Sequence, residues 1–283
     1  TFDSSIASPH VTRRTDPSAI DRQVVTRCFN EALWATKTDK ATGVDELPSL
    51  VWRKVPLAKT LLLDYLDSVR FSMAKLPLTW KTAALCPVYK GPKAGSTLDT
   101  GAYRMIALLC HGYKALSEGI RREISPGVWN WINSSRLGNY QRGFAQGRTA
   151  SENIFILWNS MEKEVAALPH EHVEDFARSD VFVLFIDFRK AFPSVSHKSV
   201  KEALEEAGTN PQIVLIVMEL LKGVNKIKTA EGLSGGWNNH QGVREGDPLS
   251  PLLFNAVLHL ILLKISEASE NVKILRDFLI SKS

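Results

Sequence analysis

Asp187 closes a run of six apolar residues, Val181–Ile186 (VFVLFI), and opens onto Phe188-Arg189-Lys190-Ala191-Phe192. A run so rich in β-branched and aromatic residues predicts a strand buried on both faces. A carboxylate where such a strand leaves the core can ligate a metal, act as a nucleophile or cap a helix, and spacing leaves the three open. Two further groups stand out, each with a plain reading as solvated surface or turn. Lys90, Lys93 and Arg104 flank the Gly/Pro/Ser loop Gly91–Gly101, and Gln241-Gly242 open the stretch QGVREGDPLSP at 241–251.

Composition sets limits on what those groups can belong to. The chain has 283 residues, 44% of them hydrophobic, enough for a sizeable core or two subdomains. A net charge of +5 permits a nucleic-acid partner without requiring one. Cys28, Cys86 and Cys110 have no CxxC or metal-ligand spacing, which predicts a reduced, intracellular setting, nuclear or cytoplasmic. The first residue is Thr1, with no signal-peptide pattern behind it, and a processed chain or fragment is expected. The most apolar segment, Leu252–Ile265, is interrupted by Asn255, His259 and Lys264. It falls short of the roughly 20 residues of a membrane span, so it reads as a core helix, with no membrane partner.

The elements follow from periodicity and punctuation. Asp16-Pro17 reads as the start of a helix with Ile20, Val24, Cys28 and Leu33 on its apolar face. Lys40–Pro48 is a glycine-centred turn. A second helix spans Pro56–Lys75, with Leu61, Leu62, Tyr65, Leu66, Val69 and Met73 on one side and Pro77 ending it. Thr82–Lys90 and Tyr103–Leu109 predict paired strands. Lys114–Ile124 predicts a helix and Val128–Ile132 a separate short element carrying Trp129 and Trp131. The loop Tyr140–Asn153 leads through a Thr149/Glu152 capping box into a helix with Ile154, Leu157, Trp158, Met161 and Val165 in register. A polar stretch, His170–Asp180, precedes the central strand. Ser196 caps a helix ending at Gly208, and Pro211–Leu221 forms another. Lys226–Ala230 and Trp237–Val243 predict a hairpin about LSGG, and the apolar helix follows. The pattern is α+β.

Five of these segments, in this order, resemble motifs of reverse transcriptases, in particular the non-LTR (LINE-like) retrotransposon branch. FIDFRKAF at 185–192 is similar to the first palm motif and QGVREGDPLSPLLFN at 241–255 to the second. TGVDELP at 42–48, YRMIALL at 103–109 and QRGFAQGRTASENI at 141–154 are similar to successive finger motifs. The resemblance covers about Thr38–Ile265. It implies a right-hand polymerase fold: a helical lead-in over 1–37, fingers over 38–175, an incomplete palm over 176–270 and an unassigned tail over 271–283.

The resemblance also implies roles. Asp187, with the Phe188 carbonyl, would ligate Mg²⁺, two ions being expected in the complete domain. Phe192 would lie under the incoming sugar and exclude a 2′-OH. Gln241 and Gly242 would stand near nucleotide and template, and Lys90 and Arg104 would hold the triphosphate. Arg142 and Arg148 either touch template phosphates or lie on a solvated loop. The implied partners are an RNA template, a DNA primer and deoxynucleoside triphosphates.

The chain departs from the pattern in three places. It contains no Asp-Asp pair, so the third palm motif and its carboxylates are missing, and the chain as it stands is expected to be inactive. Pro193 replaces a frequent Asp, and Glu245 replaces the usual Gln, placing a carboxylate near the triphosphate. These changes keep a second reading open, a reverse-transcriptase-derived RNA-binding protein of the maturase kind. A third, an aspartyl-phosphate phosphotransferase, wants an Asp at position 189, where this chain has Arg.

Overall fold

The computed structural model describes residues 22–37, 40–135, 138, 141–166 and 185–269. Ten helices and five strands lie among them in mixed order, in agreement with the α+β expectation. The helix start at Asp16-Pro17, Ile20, the stretch 170–180, the apolar residues 181–184 and the tail 271–283 lie outside the described residues.

The sheet is built on β1 (Thr82–Tyr89), which pairs antiparallel with β2 (Tyr103–Leu108) from Ala84↔Leu108 to Tyr89↔Tyr103, as predicted. Its other edge takes β3 (Val224–Thr229) in parallel, from Thr82↔Val224 to Leu85↔Ile227. β3 in turn pairs with the two-residue strands β4 (Gly232–Leu233) and β5 (Trp237–Asn238). The tight turn is therefore at Ala230-Glu231, and LSGG connects β4 to β5 rather than forming the hairpin tip. One sheet thus joins residues on both sides of position 175, a long-range pairing no local pattern encodes.

Helices pack around α5 (His111–Asn133), a single 23-residue helix that runs through Pro126. The sequence predicts two pieces here because Pro removes a helical donor. Val128 and Ile132, fully buried, anchor the last turns and carry the helix past it. α1 (Arg22–Ala35) crosses α5 where Gly119 lacks a side chain: a Cβ there would lie 2.0 Å from Phe29 Cδ1. The buried face of α1 is Val25, Phe29, Ala32 and Leu33, one residue round from the predicted stripe, and Val24 is 52% exposed. α2 (Ser49–Lys54) and α4 (Leu78–Lys81) are short. α3 (Pro56–Ser72) stops at Met73, which turns into the left-handed region at φ 52°. Leu62, Leu66 and Val69 of its predicted face are buried, while Leu61 and Met73 face out.

α6 (Ala150–Ala166) forms where expected, yet Ile154, Phe155 and Trp158 are exposed among the described residues. After the four-residue α7 (Ala191–Ser194) come α8 (His197–Glu206), α9 (Pro211–Leu221) and α10 (Ser250–Ser269). Ser196 occupies the N-cap position of α8 without a side-chain cap bond. At 20 residues α10 is longer than predicted, and by length and composition alone it could cross a membrane. Here it packs on α5 and α8, burying Leu253, Ala256 and the polar Asn255 and His259.

Candidate nucleotide cleft

The second-motif segment 241–247 is held from three sides. Gly242 N donates to Val195 O at 2.8 Å and Val243 N to Phe192 O at 3.0 Å, so the segment runs against the turn that follows Asp187. The approach requires glycine twice over. Gly242 sits at φ 90°, and a Cβ would lie 2.8 Å from both Cα and O of Pro193. On the other side Ala107 N donates to Glu245 O at 2.7 Å, which ties the segment to β2. At the base Asp247 accepts from Tyr113 Oη at 2.6 Å, from Ser117 Oγ, and from Leu249 N at 3.0 Å. Burial and the Asp247 charge push the Tyr113 hydroxyl well above its ordinary pKa, so it stays a donor. Arg244, also buried, donates to Leu220 O at 3.2 Å and Lys81 O at 3.3 Å, bracing the end of α9 against the start of β1.

These ties form a cleft of about 620 Å³. Lys90 and Arg104 from the β1–β2 hairpin, Asp187 and Phe188 from the turn, and Gln241 and Gly242 from the second motif all line it. Six of the seven predicted site residues thus meet in one place, although 151 positions separate Lys90 from Gln241. Lys90 Nζ donates to Gly101 O at 2.9 Å, closing the hairpin tip. Arg104 is exposed, and its side chain makes no hydrogen bond or ion pair among the described residues, leaving its guanidinium available to an anion. Gln241 Nε2 donates to Ser194 O at 2.8 Å.

Three expectations change. Asp187 does not end a buried strand in the described residues: Phe185 is 83% and Ile186 72% exposed, and residues 185–188 pair with no strand. An apolar run becomes a buried strand only where ladders and a covering layer receive it, and the described sheet offers neither at this point. Phe192 is not among the cleft-lining residues. It stacks on Phe254 (centroids 5.2 Å, interplanar 4°) and meets Phe144 edge-on at 5.8 Å, as a packing aromatic does. Arg142 and Arg148 turn inward, Arg142 pairing with Glu152 at 3.1 Å and Arg148 Nη1 donating to Gln141 O at 2.9 Å.

Sequence reasoning missed Lys190, which lines the cleft and holds a left-handed φ of 52° at the start of α7. A non-glycine residue in that region persists only where its surroundings enforce it. The sequence signal was present in the basic pair Arg189-Lys190 beside Asp187. Glu245 also lines the cleft, so Lys90, Arg104, Lys190 and Arg244 share it with two carboxylates, Asp187 and Glu245.

For Mg²⁺ the donor type fits and the donor number does not. A carboxylate and a backbone carbonyl are the hard oxygens such an ion takes. Yet among the described residues no group of three or more His, Cys, Asp or Glu stands close enough to hold a metal.

The structure is a mixed α/β protein with a cleft whose lining includes Lys90, Arg104, Lys190 and Arg244, walled by a glycine-dependent turn. The family model for reverse transcriptase (RNA-dependent DNA polymerase) matches residues 91–276, and the chain belongs to that family. It is similar to the Pol polyprotein of the retrotransposable element R2 from Nasonia vitripennis, 26% identical over 181 residues, 62% of this chain and 16% of that polyprotein. The R2DM polyprotein of Drosophila melanogaster is 30% identical over 128 residues, 43% of this chain and 11% of its own length. An R2 polyprotein of Popillia japonica is 40% identical over 78 residues, 27% of this chain and 11% of its own length. The chain therefore spans about a sixth or less of these relatives, and its reverse transcriptase domain is similar to part of their polyproteins.

Proposed function

We propose that this chain supplies the nucleotide-binding half of an RNA-directed DNA polymerase site and does not catalyse extension by itself. The observation that carries this is the meeting of the hairpin cations, the Asp187 turn and the Gln241-Gly242 segment in one cleft. Arg104 grips the triphosphate as a fork and Lys90 as a point charge. Gln241 and Gly242 form the wall facing nucleotide and template, and Asp187 with the Phe188 carbonyl contributes one edge of an Mg²⁺ shell. Two such ions, when bound, stabilise the attacking and leaving oxygens of phosphoryl transfer, and that arrangement needs carboxylates additional to Asp187. Phe192 acts through its backbone carbonyl, which receives Val243 N at 3.0 Å, and its part in sugar selection rests on family resemblance.

In this reading residues 38–175 are fingers, 176–270 part of a palm, 1–37 a lead-in and 271–283 a tail. The ligands are an RNA template, a DNA primer and deoxynucleoside triphosphates. The hybrid is gripped through backbone and 2′-OH contacts rather than base sequence. A second reading, RNA binding with polymerisation lost, is favoured by Glu245, whose carboxylate shares the cleft with Asp187.

Primer extension on an RNA template with Mg²⁺ tests the proposal. The 283-residue chain is expected to give no extension above background, and a longer chain carrying the remaining carboxylates to give extension that Asp187→Ala abolishes. Extension by the chain alone sinks the half-site proposal. A longer chain that binds RNA yet never extends establishes the second reading.

A further inference from the structure

A second cavity, about 300 Å³, lies at the N-terminus of α5 and outside the cleft just described. Its wall includes Lys37, Lys40, His111, Lys114, Glu118 and Gly246. Gly246 follows directly on Glu245, so one segment faces both cavities.

Three observations bear on what this cavity takes. First, it is cationic. Lys37 and Lys40 are exposed, and burial together with the neighbouring Lys40 lowers the pKa of Lys114, a charge that an anion would relieve. Among the described residues of the wall Glu118 is the acidic one, and its carboxylate is committed to Arg121 at 2.6 and 2.7 Å and to Arg122 at 2.8 Å. Asp247, whose charge reaches Lys114, is bonded to Tyr113, Ser117 and Leu249 N, and Asp45, whose charge reaches His111, is not in the wall.

Second, the first-turn amides of α5 have no partner within the helix, and Cys110 at the N-cap supplies no side-chain bond. A helix of 23 residues presents a positive dipole end there. Third, His111 is only 1% exposed and forms part of the cavity wall; its ring lies against the Lys40 backbone, and at least one ring nitrogen has no hydrogen-bond partner. A buried polar group without a partner is rare and marks a ligand's place. Three carbonyls at and just after the end of α1 are engaged by side chains. Thr36 Oγ1 donates to Ala32 O at 3.1 Å, Arg53 to Thr36 O at 3.2 Å, and Ser49 to Lys37 O at 3.1 Å.

We infer that this cavity seats a single phosphate group, held by Lys37, Lys40, Lys114, the α5 amides and the unpartnered His111 ring nitrogen. The phosphate comes either from a nucleic-acid backbone or from a small phosphate compound. The inference stands whether or not the polymerase reading does.

The test uses the full chain in two arms: inorganic phosphate titrated calorimetrically against chloride at matched ionic strength, and a fluorescent single-stranded RNA followed by anisotropy across salt concentration. The variants are Lys114→Gln and the double Lys37→Gln/Lys40→Gln, with Lys201→Gln on α8 as the charge-matched control. Saturable phosphate binding that weakens at least about tenfold in both variants and holds in the control identifies a free-phosphate site. Loss confined to RNA, with the salt slope shallower by about 0.7 per lost contact, identifies a backbone phosphate. The double variant replaces exposed side chains and carries the test if Lys114→Gln fails to fold. Wild-type behaviour of the double variant in both arms, or equal weakening in Lys201→Gln, overturns the inference.

Discussion

Gly242→Ala is the substitution whose effect the geometry specifies most closely. The new methyl would meet backbone, with Pro193 Cα and O both at 2.8 Å and Pro193 C at 3.1 Å, and no rotamer change can relieve that. Relief requires the 241–243 segment to lift off the 192–195 turn, which breaks the bonds from Gly242 N to Val195 O and from Val243 N to Phe192 O. Two backbone bonds lost, plus an alanine at positive φ, sum to roughly 2–5 kcal/mol. Gly208→Ala is the matched comparison. Gly208 has a φ of 70° with nothing within 4 Å of a Cβ, so only the left-handed penalty of about 1–2 kcal/mol applies. Urea unfolding followed by tryptophan fluorescence should place Gly242→Ala at least about 1 kcal/mol below Gly208→Ala. Equal destabilisation by the two would refute the claim that close approach, beyond turn conformation, dictates this glycine.

Two further outcomes follow from buried charge. Arg70 and Glu123 form a buried ion pair at 2.6 Å, so Arg70→Met strands a carboxylate and should destabilise by about 3–5 kcal/mol. Adding Glu123→Leu should recover most of that loss in the same unfolding assay, and a double variant no better than the single would contradict it. Burial lowers the pKa of His111, His197 and His259 below the ordinary 6.5. The unfolded chain then takes up protons that the folded chain refuses, so stability falls as pH drops from about 7.5 to about 5.5. Thermal melts should show Tm decreasing across that window, and a flat or rising Tm would be the contrary result.

What the sequence disclosed and what it withheld divide along the range of the interactions. The β1–β2 hairpin was legible because alternation and a Gly/Pro/Ser loop are local signals, and it delivers Lys90 and Arg104 to the cleft. Gly242 was legible as a glycine that must be one, but the atom it yields to is Pro193, 49 positions earlier, which only the fold reveals. The parallel β1–β3 pairing was hidden for the same reason. Arg142 and Arg148 look like free cations on a glycine loop, yet Glu152 and the Gln141 carbonyl claim them. Apolar content is a weaker guide. Phe185 and Ile186 read as the end of a buried strand, and both are exposed. Hydrophobicity specifies that a surface should be covered and leaves open which element covers it.

On the reading proposed above, the cleft bounded by Arg104, Asp187 and Gln241 holds a nucleoside triphosphate. The most direct measurement is the dissociation constant of dTTP, with Mg²⁺, for the chain bound to a poly(rA)–oligo(dT) hybrid, compared with Arg104→Ala. The claim requires saturable binding in the parent chain, at least about tenfold weaker in the variant with hybrid affinity retained. No saturable binding in the parent chain, or undiminished dTTP affinity in Arg104→Ala, would contradict it.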